Sequence, residues 1–250
     1  MIRPIKIGLI AEGQTELGVS IPFITPQDGG KVITREQEGA LHTLIRRELN
    51  NIGLLDCEFV HRHPNLNDRG ARPLISGHSI LSRKHLRQVM IAWQPEEVDM
   101  IVIVADADDV LEKRQHELEI ALQTIRDNHL DQDGNLINDR SVGGLAIRDF
   151  EAWLLADIDT VSAILGEKIE QIADLENFEN PKNILENAIN KSSYLAENVS
   201  NQRLLQVKWN LAFEINLVSL KSLCPQGYGT FAENLAKVAE ITNQVLLREN

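Results

Sequence analysis

Glu12, Asp106 and Asp108 are the residues of this 250-residue chain whose types and spacing best suit chemistry. Asp106 and Asp108 form an Asp-x-Asp directly after the unbroken apolar run from Met100 to Ala105. Glu12 follows a shorter apolar run, Ile7 to Ala11. Carboxylates about 4–7 Å apart repel, so one pKa rises unless a cation intervenes. A divalent cation removes the repulsion, and carboxylate oxygens are the ligands that Mg²⁺ and Mn²⁺ prefer. Glu16 lies four residues after Glu12, and a helical turn opened at Gly13 points both the same way. Glu16 also has a plainer role, offsetting the dipole of that turn. For Asp109 the plainer role is an N-cap to the next helix. A third acidic point is Glu151, in Ile147-Arg148-Asp149-Phe150-Glu151, where charge at a helix start is the ordinary role.

Such acids act together only if a frame gathers them. Residues 5–11 read as a buried strand, and 20–30, with two prolines and two glycines, as loop. Helix is expected over 35–51, where Leu41, Leu44, Ile45 and Leu49 keep helical spacing. A second strand is expected over 57–63, a polar loop over 64–77 and a helix over 82–93. The strongest strand is 99–105, apolar from Met100 on, as in a parallel strand buried on both faces. Helix over 111–129, a short strand over 144–147 and a helix from 150 complete the alternation. This order predicts an α/β fold: a mostly parallel, Rossmann-like sheet flanked by helices, with right-handed crossovers. Beyond about residue 158 strand signals stop, and 161–165, 181–189, 202–220 and 230–248 read as helix. The expected organisation is an α/β domain over 1–157 with a helical C-terminal lobe, 158–250, packed on it. Sites in open α/β sheets form at the C-terminal strand ends, where these acids fall.

Composition narrows the function. The net charge of −12 argues against a surface that binds nucleic acid throughout. The stretch from His61 to Met90 departs from this, with six bases against one acid, Asp68. It is a candidate phosphate-binding surface, with Arg69, Arg72 and Arg87 as phosphate ligands and Lys84 as a catalytic cation. A solvated loop and helix face is the plainer reading. Two cysteines make neither a disulfide framework nor a zinc site, which points to the reducing cytoplasm. No apolar run reaches the roughly 18 residues a membrane span needs. There is no Gly-x-x-x-x-Gly-Lys-Ser/Thr for an ATP phosphate loop. Residues 131–142 carry their glycine, Gly134, at position four rather than six of a calcium loop, and Val142 where its final glutamate would stand.

Glu12-Gly13-Gln14-Thr15-Glu16, Asp106-Ala107-Asp108 and the run EAWLLAD from Glu151 to Asp157 together resemble the TOPRIM domain of topoisomerases, primases and OLD-type nucleases. More narrowly, the chain is similar to a TOPRIM-like family with EGxTE, DxD and EAWLLAD motifs, often encoded beside AAA or ABC-type ATPases. The resemblance covers nearly the whole chain, including Asn180-Pro181-Lys182, Tyr194 and the stretch from Leu220 to Phe231. It implies a TOPRIM-like fold in which Glu12 is a general acid/base or metal ligand and Asp106 and Asp108 hold Mg²⁺ or Mn²⁺. Glu16 and Glu151 would be further metal ligands. The implied function is a Mg²⁺-dependent nuclease on DNA or RNA, in phage defence or repair, with an ATPase partner. The alternative is a non-catalytic, metal-binding TOPRIM-like subunit of such an ATPase.

Overall fold

The computed structural model describes residues 3–24, 32–60, 77–131, 133–137, 139–192 and 201–249. Strand β1 (Ile5–Ala11) leads through a one-turn helix α1 (Gln14–Leu17) into strands β2 (Val19–Ile24) and β3 (Val32–Gln37). Helix α2 (Ala40–Asn51), strand β4 (Cys57–Phe59), helix α3 (Arg83–Trp93) and strand β5 (Met100–Asp106) follow. Then come α4 (Leu111–Arg126), β6 (Ser141–Ala146), α5 (Glu151–Leu154), α6 (Ile158–Leu165) and α7 (Pro181–Lys191). The chain closes with α8 (Asn201–Glu214), α9 (Leu217–Leu223), a π-helical turn (Pro225–Gly229) and α10 (Thr230–Glu249).

The fold is α/β, with a four-stranded parallel sheet in the order β4-β1-β5-β6, flanked by helices. The chain leaves β1 towards β4 on one side and then crosses to β5 on the other. β1 and β5 are therefore the neighbours at which the winding reverses, the place where open α/β sheets form their binding sites. The apolar run explains why β5 sits inside the sheet. Met100, Val102 and Val104 face one core, while Ile101, Ile103 and Ala105 face another. The second core is roofed by α3 and α4 through Leu86, Val89, Trp93, Ala121 and Ile125. Gly8 lies under Trp93, where a Cβ would stand 2.6 Å from the indole ring. The first core is covered by α2 and by the C-terminal helices, whose Val161, Ile189, Leu211 and Leu235 share one apolar cluster with Ile7 and Val102. The helical region is thus packed on the sheet as the layer that buries one face. Among the described residues no helix is long and apolar enough to cross a membrane.

Several boundaries differ from the sequence reading. Residues 19–24 and 32–37 form a two-stranded antiparallel ribbon where loop was expected over 20–30, and α2 begins at Ala40. Pro22 misled that reading, because both strands of a two-stranded ribbon are edges, where a residue without N–H is tolerated. The helix expected over 202–220 is two helices, since Asn216 accepts the Val218 and Ser219 N–H groups and starts α9. Of the expected strand 57–63 and loop 64–77, residues 61–76 lie outside the described residues.

At the N-terminal ends of the inner strands, buried Asp99 accepts both guanidinium nitrogens of Arg3, at 2.6 and 2.7 Å, and the Lys6 N–H at 2.8 Å. This locks the start of β1 to the start of β5. Asp99→Ala leaves a backbone donor without its partner and is expected to lower stability by about 2 kcal/mol. A urea-denaturation midpoint unchanged from wild type would refute the lock.

Candidate functional site

The register Ala11↔Val104 places Glu12 beside the end of β5. There the Asp106 N–H donates to Glu12 Oε1 at 3.2 Å. Glu16 follows on α1 and is only 6% exposed. Its carboxylate folds back over Gly13, where a Cβ would lie 2.6 Å from Glu16 Oε2 and would push that carboxylate aside. Among the described residues that oxygen has no hydrogen-bond partner.

From the β6 side come Asp149 and Glu151. Asp149 accepts the Ala152 N–H at 3.2 Å and the Lys182 N–H at 3.3 Å, tying the start of α5 to the start of α7. Glu151 is buried, and its Oε1 lies 2.5 Å from Lys208 Nζ. Lys208, on α8, has a side chain 3% exposed. Its ammonium also reaches Thr15 Oγ1 at 3.3 Å and Glu186 Oε1 at 3.9 Å. Strand ends, a one-turn helix and the C-terminal layer thus bring acids and one lysine together.

The electrostatics follow from that crowding. Burial, then the charges of Glu16, Glu12, Glu151 and Asp149, hold the Asp106 carboxyl well above the usual carboxylate range. Burial pushes Glu16 up to about 7; Glu151 and Glu12 add to this, while its own backbone N–H and Lys208 oppose it. Asp149 is pushed up to about 6, by burial and then by Glu151, against the hydrogen bonds it accepts. A carboxyl raised in the folded state binds more protons folded than unfolded. Its stabilising contribution is complete below the unfolded pKa and is lost as pH rises through the folded one. For Glu16 that window runs from 4.5 to about 7, and the loss is about 3 kcal/mol. Melts in EDTA are expected to fall steadily across this range. A flat profile would show that the carboxylates do not crowd each other.

The expected residues are not all gathered. Glu12 accepts the Asp106 N–H, and the charges of Glu12, Glu16 and Glu151 act on the Asp106 carboxyl. Asp108 does not join them. Its side chain is 51% exposed, with Oδ2 3.7 Å from the buried Arg114 Nη2. Its backbone is left-handed, at φ 49°, and its N–H donates to the Arg148 carbonyl at 3.0 Å. Arg148 is left-handed too, at φ 71°, and its guanidinium pairs with Asp109. Non-glycine residues in this region are strained by about 1–3 kcal/mol each. The residue at the N-cap of α4 is Val110 rather than Asp109. Lys84 and Arg87 lie on the exposed face of α3, and Arg87 shares a depression with Glu119 and Gln123 of α4 and with Asp127 just after it. Arg69 and Arg72 lie outside the described residues. In the EAWLLAD run, Trp153, Leu154 and Leu155 are core, and Asp157 caps α6 through the Thr160 N–H and accepts the Asn216 N–H. Lys208 and Asp149 escaped the sequence reading. Lys208 had one signal: with Leu204, Leu211 and Ile215 it falls on the apolar stripe of its helix, where a charge is out of place.

Among the described residues no group of three or more His, Cys, Asp or Glu side chains is placed to hold a metal ion. The donors nevertheless suit Mg²⁺ or Mn²⁺ in kind, all being carboxylate oxygens. They also suit it in charge, and Glu16 keeps a buried oxygen without a hydrogen bond.

A family model described as a domain of unknown function (DUF4276) matches residues 36–233. That span includes Asp106, Asp149, Glu151 and Lys208 and begins after Glu12 and Glu16. No curated protein and no solved structure matches the chain.

Proposed function

From the residues of a chain that belongs to the DUF4276 family, we propose a Mg²⁺- or Mn²⁺-dependent nuclease of TOPRIM type that cleaves DNA or RNA phosphodiesters. The observation that carries this reading is the crowding of Asp106 by Glu12, Glu16, Glu151 and Asp149 at the point where the sheet reverses its winding. Such charge calls for a cation. Glu12, Glu16, Asp106 and Glu151 would hold the ion, which when bound supplies Lewis-acid stabilisation to the phosphodiester oxygens. Glu12, just beyond the end of β1, is the group to take a proton from the attacking water. Lys208 holds Glu151 in place from behind, and Asp149 fixes the turn that delivers it. The free, buried Cys57 and Cys224 support a setting in the reducing cytoplasm, in phage defence or repair.

The test is cleavage of end-labelled single- and double-stranded DNA and RNA by purified protein in Mg²⁺, Mn²⁺ or EDTA. It is run alone and with any AAA or ABC-type ATPase encoded alongside. Metal-dependent cleavage lost in Asp106→Ala is the expected result, and no cleavage under any condition overturns it. A second reading is favoured by the absence of such a metal-holding group among the described residues and by Lys208 already pairing with Glu151. This is a metal-binding, non-catalytic subunit of such an ATPase, and it would show loss of ATPase binding in Asp106→Ala with no hydrolysis.

A further inference from the structure

A phosphodiester brought to this cluster needs a cation to receive its negative oxygens. Lys208 does not qualify, being 3% exposed and engaged with Glu151. Arg87 faces α4 across a separate depression. Arg148 is differently placed. Asp106 pairs in register with Ala146, and Asp108 with Arg148, so Arg148 leaves β6 at the same sheet edge as Asp106 leaves β5. It directly precedes Asp149 and stands three residues before Glu151. Its side chain is 27% exposed, enough to meet a ligand without being loose in solvent.

The backbone adds an argument. At φ 71° the position favours glycine, yet it carries a long cationic side chain. The strain is held by the Asp108 N–H donating to the Arg148 carbonyl. An arginine kept where glycine would relax the chain indicates a use for its side chain. Its partner Asp109 is 83% exposed, and such a pair is weak and exchangeable. A phosphate can offer the guanidinium two charge-assisted hydrogen bonds in its place.

We propose that Arg148 is the residue that receives the substrate phosphate beside the carboxylate cluster, exchanging Asp109 for it. This rests on the nuclease reading and names the group that holds the polyanion there.

The test is fluorescence anisotropy with fluorescein-labelled single-stranded and duplex DNA and RNA oligonucleotides, in Ca²⁺ at several salt concentrations. Wild type is expected to bind at least one of them. Arg148→Gln is expected to weaken that binding at least tenfold and to lower the slope of log Kd against log salt by about 1. Arg148→Lys keeps most of the affinity, and Arg148→Gly loses it while melting no lower than wild type. Asp109→Asn binds as tightly as wild type or tighter. If Arg148 merely pins the turn, Asp109→Asn reproduces the loss, and the proposal falls. It falls equally if Arg148→Gln binds as wild type does, with the nuclease reading left standing. If wild type binds none of the oligonucleotides, the nuclease reading falls and takes this assignment with it.

Discussion

Asp106→Asn is expected to abolish the stabilisation that Mn²⁺ gives the protein and, in EDTA at a pH high enough to ionise Asp106, to melt higher than wild type. The two halves share one cause. Asp106 is held well above the ordinary carboxylate range by burial and by four neighbouring acids. Without metal, ionising it adds charge to a site already short of cations, so a neutral isostere relieves repulsion. With metal, the same charge is what the ion binds. Wild type is expected to gain about 2.7 kcal/mol when Mn²⁺ stands at a hundred times its Kd, and the variant nothing. Metal-dependent cleavage is expected to fall by more than roughly 100-fold, since loss of even an outer partner of a metal ligand reaches that scale. The Asp106 N–H bond to Glu12 survives the substitution, so the strand end is not dismantled. A variant that melts lower than wild type at every pH, with Mn²⁺ gain intact, would mark the cluster as structural.

What the sequence disclosed about this site depended on how local each signal was. Glu12 and Asp106 end apolar runs that become adjacent inner strands, and run length alone marks such strands. Glu16 was readable because Gly13 and the four-residue spacing write its turn into five consecutive letters. The setting of Asp108 was not legible, because Asp-x-Asp spacing says nothing of a left-handed residue between two arginines. The ribbon over 19–37 was hidden by proline and glycine, which mark loops and edge strands alike. The pairing of Lys208 with Glu151 spans 57 residues and that with Thr15 spans 193, so no local pattern carries either. Only its position on an apolar stripe betrayed it. The α/β order was legible because each strand–helix unit is local. That the C-terminal helices pack on the sheet was expected too, but which of their residues enter the core beneath it was not legible, because that is decided by faces that meet only in three dimensions.

Lys208→Met carries the other large expected effect. The ammonium is buried against Glu151, and a buried pair broken from one side leaves a charge with nothing to answer it. The expected loss at pH 8 without metal is about 3–5 kcal/mol. Adding Glu151→Gln is expected to recover most of it, because the double variant buries neither charge. Both features belong to any buried ion pair. The metal site adds a third: Mn²⁺ supplies positive charge where the lysine stood, so it is expected to stabilise Lys208→Met more than it stabilises wild type. Lower pH acts likewise, by protonating the crowded acids. Urea denaturation of wild type, Lys208→Met and the double variant, at pH 6 and 8 with and without Mn²⁺, separates these terms. If Mn²⁺ raises all three equally, Lys208 belongs to the scaffold and is not coupled to the ion. If it raises Lys208→Met most, the lysine is the internal cation that holds the acids together until the metal arrives.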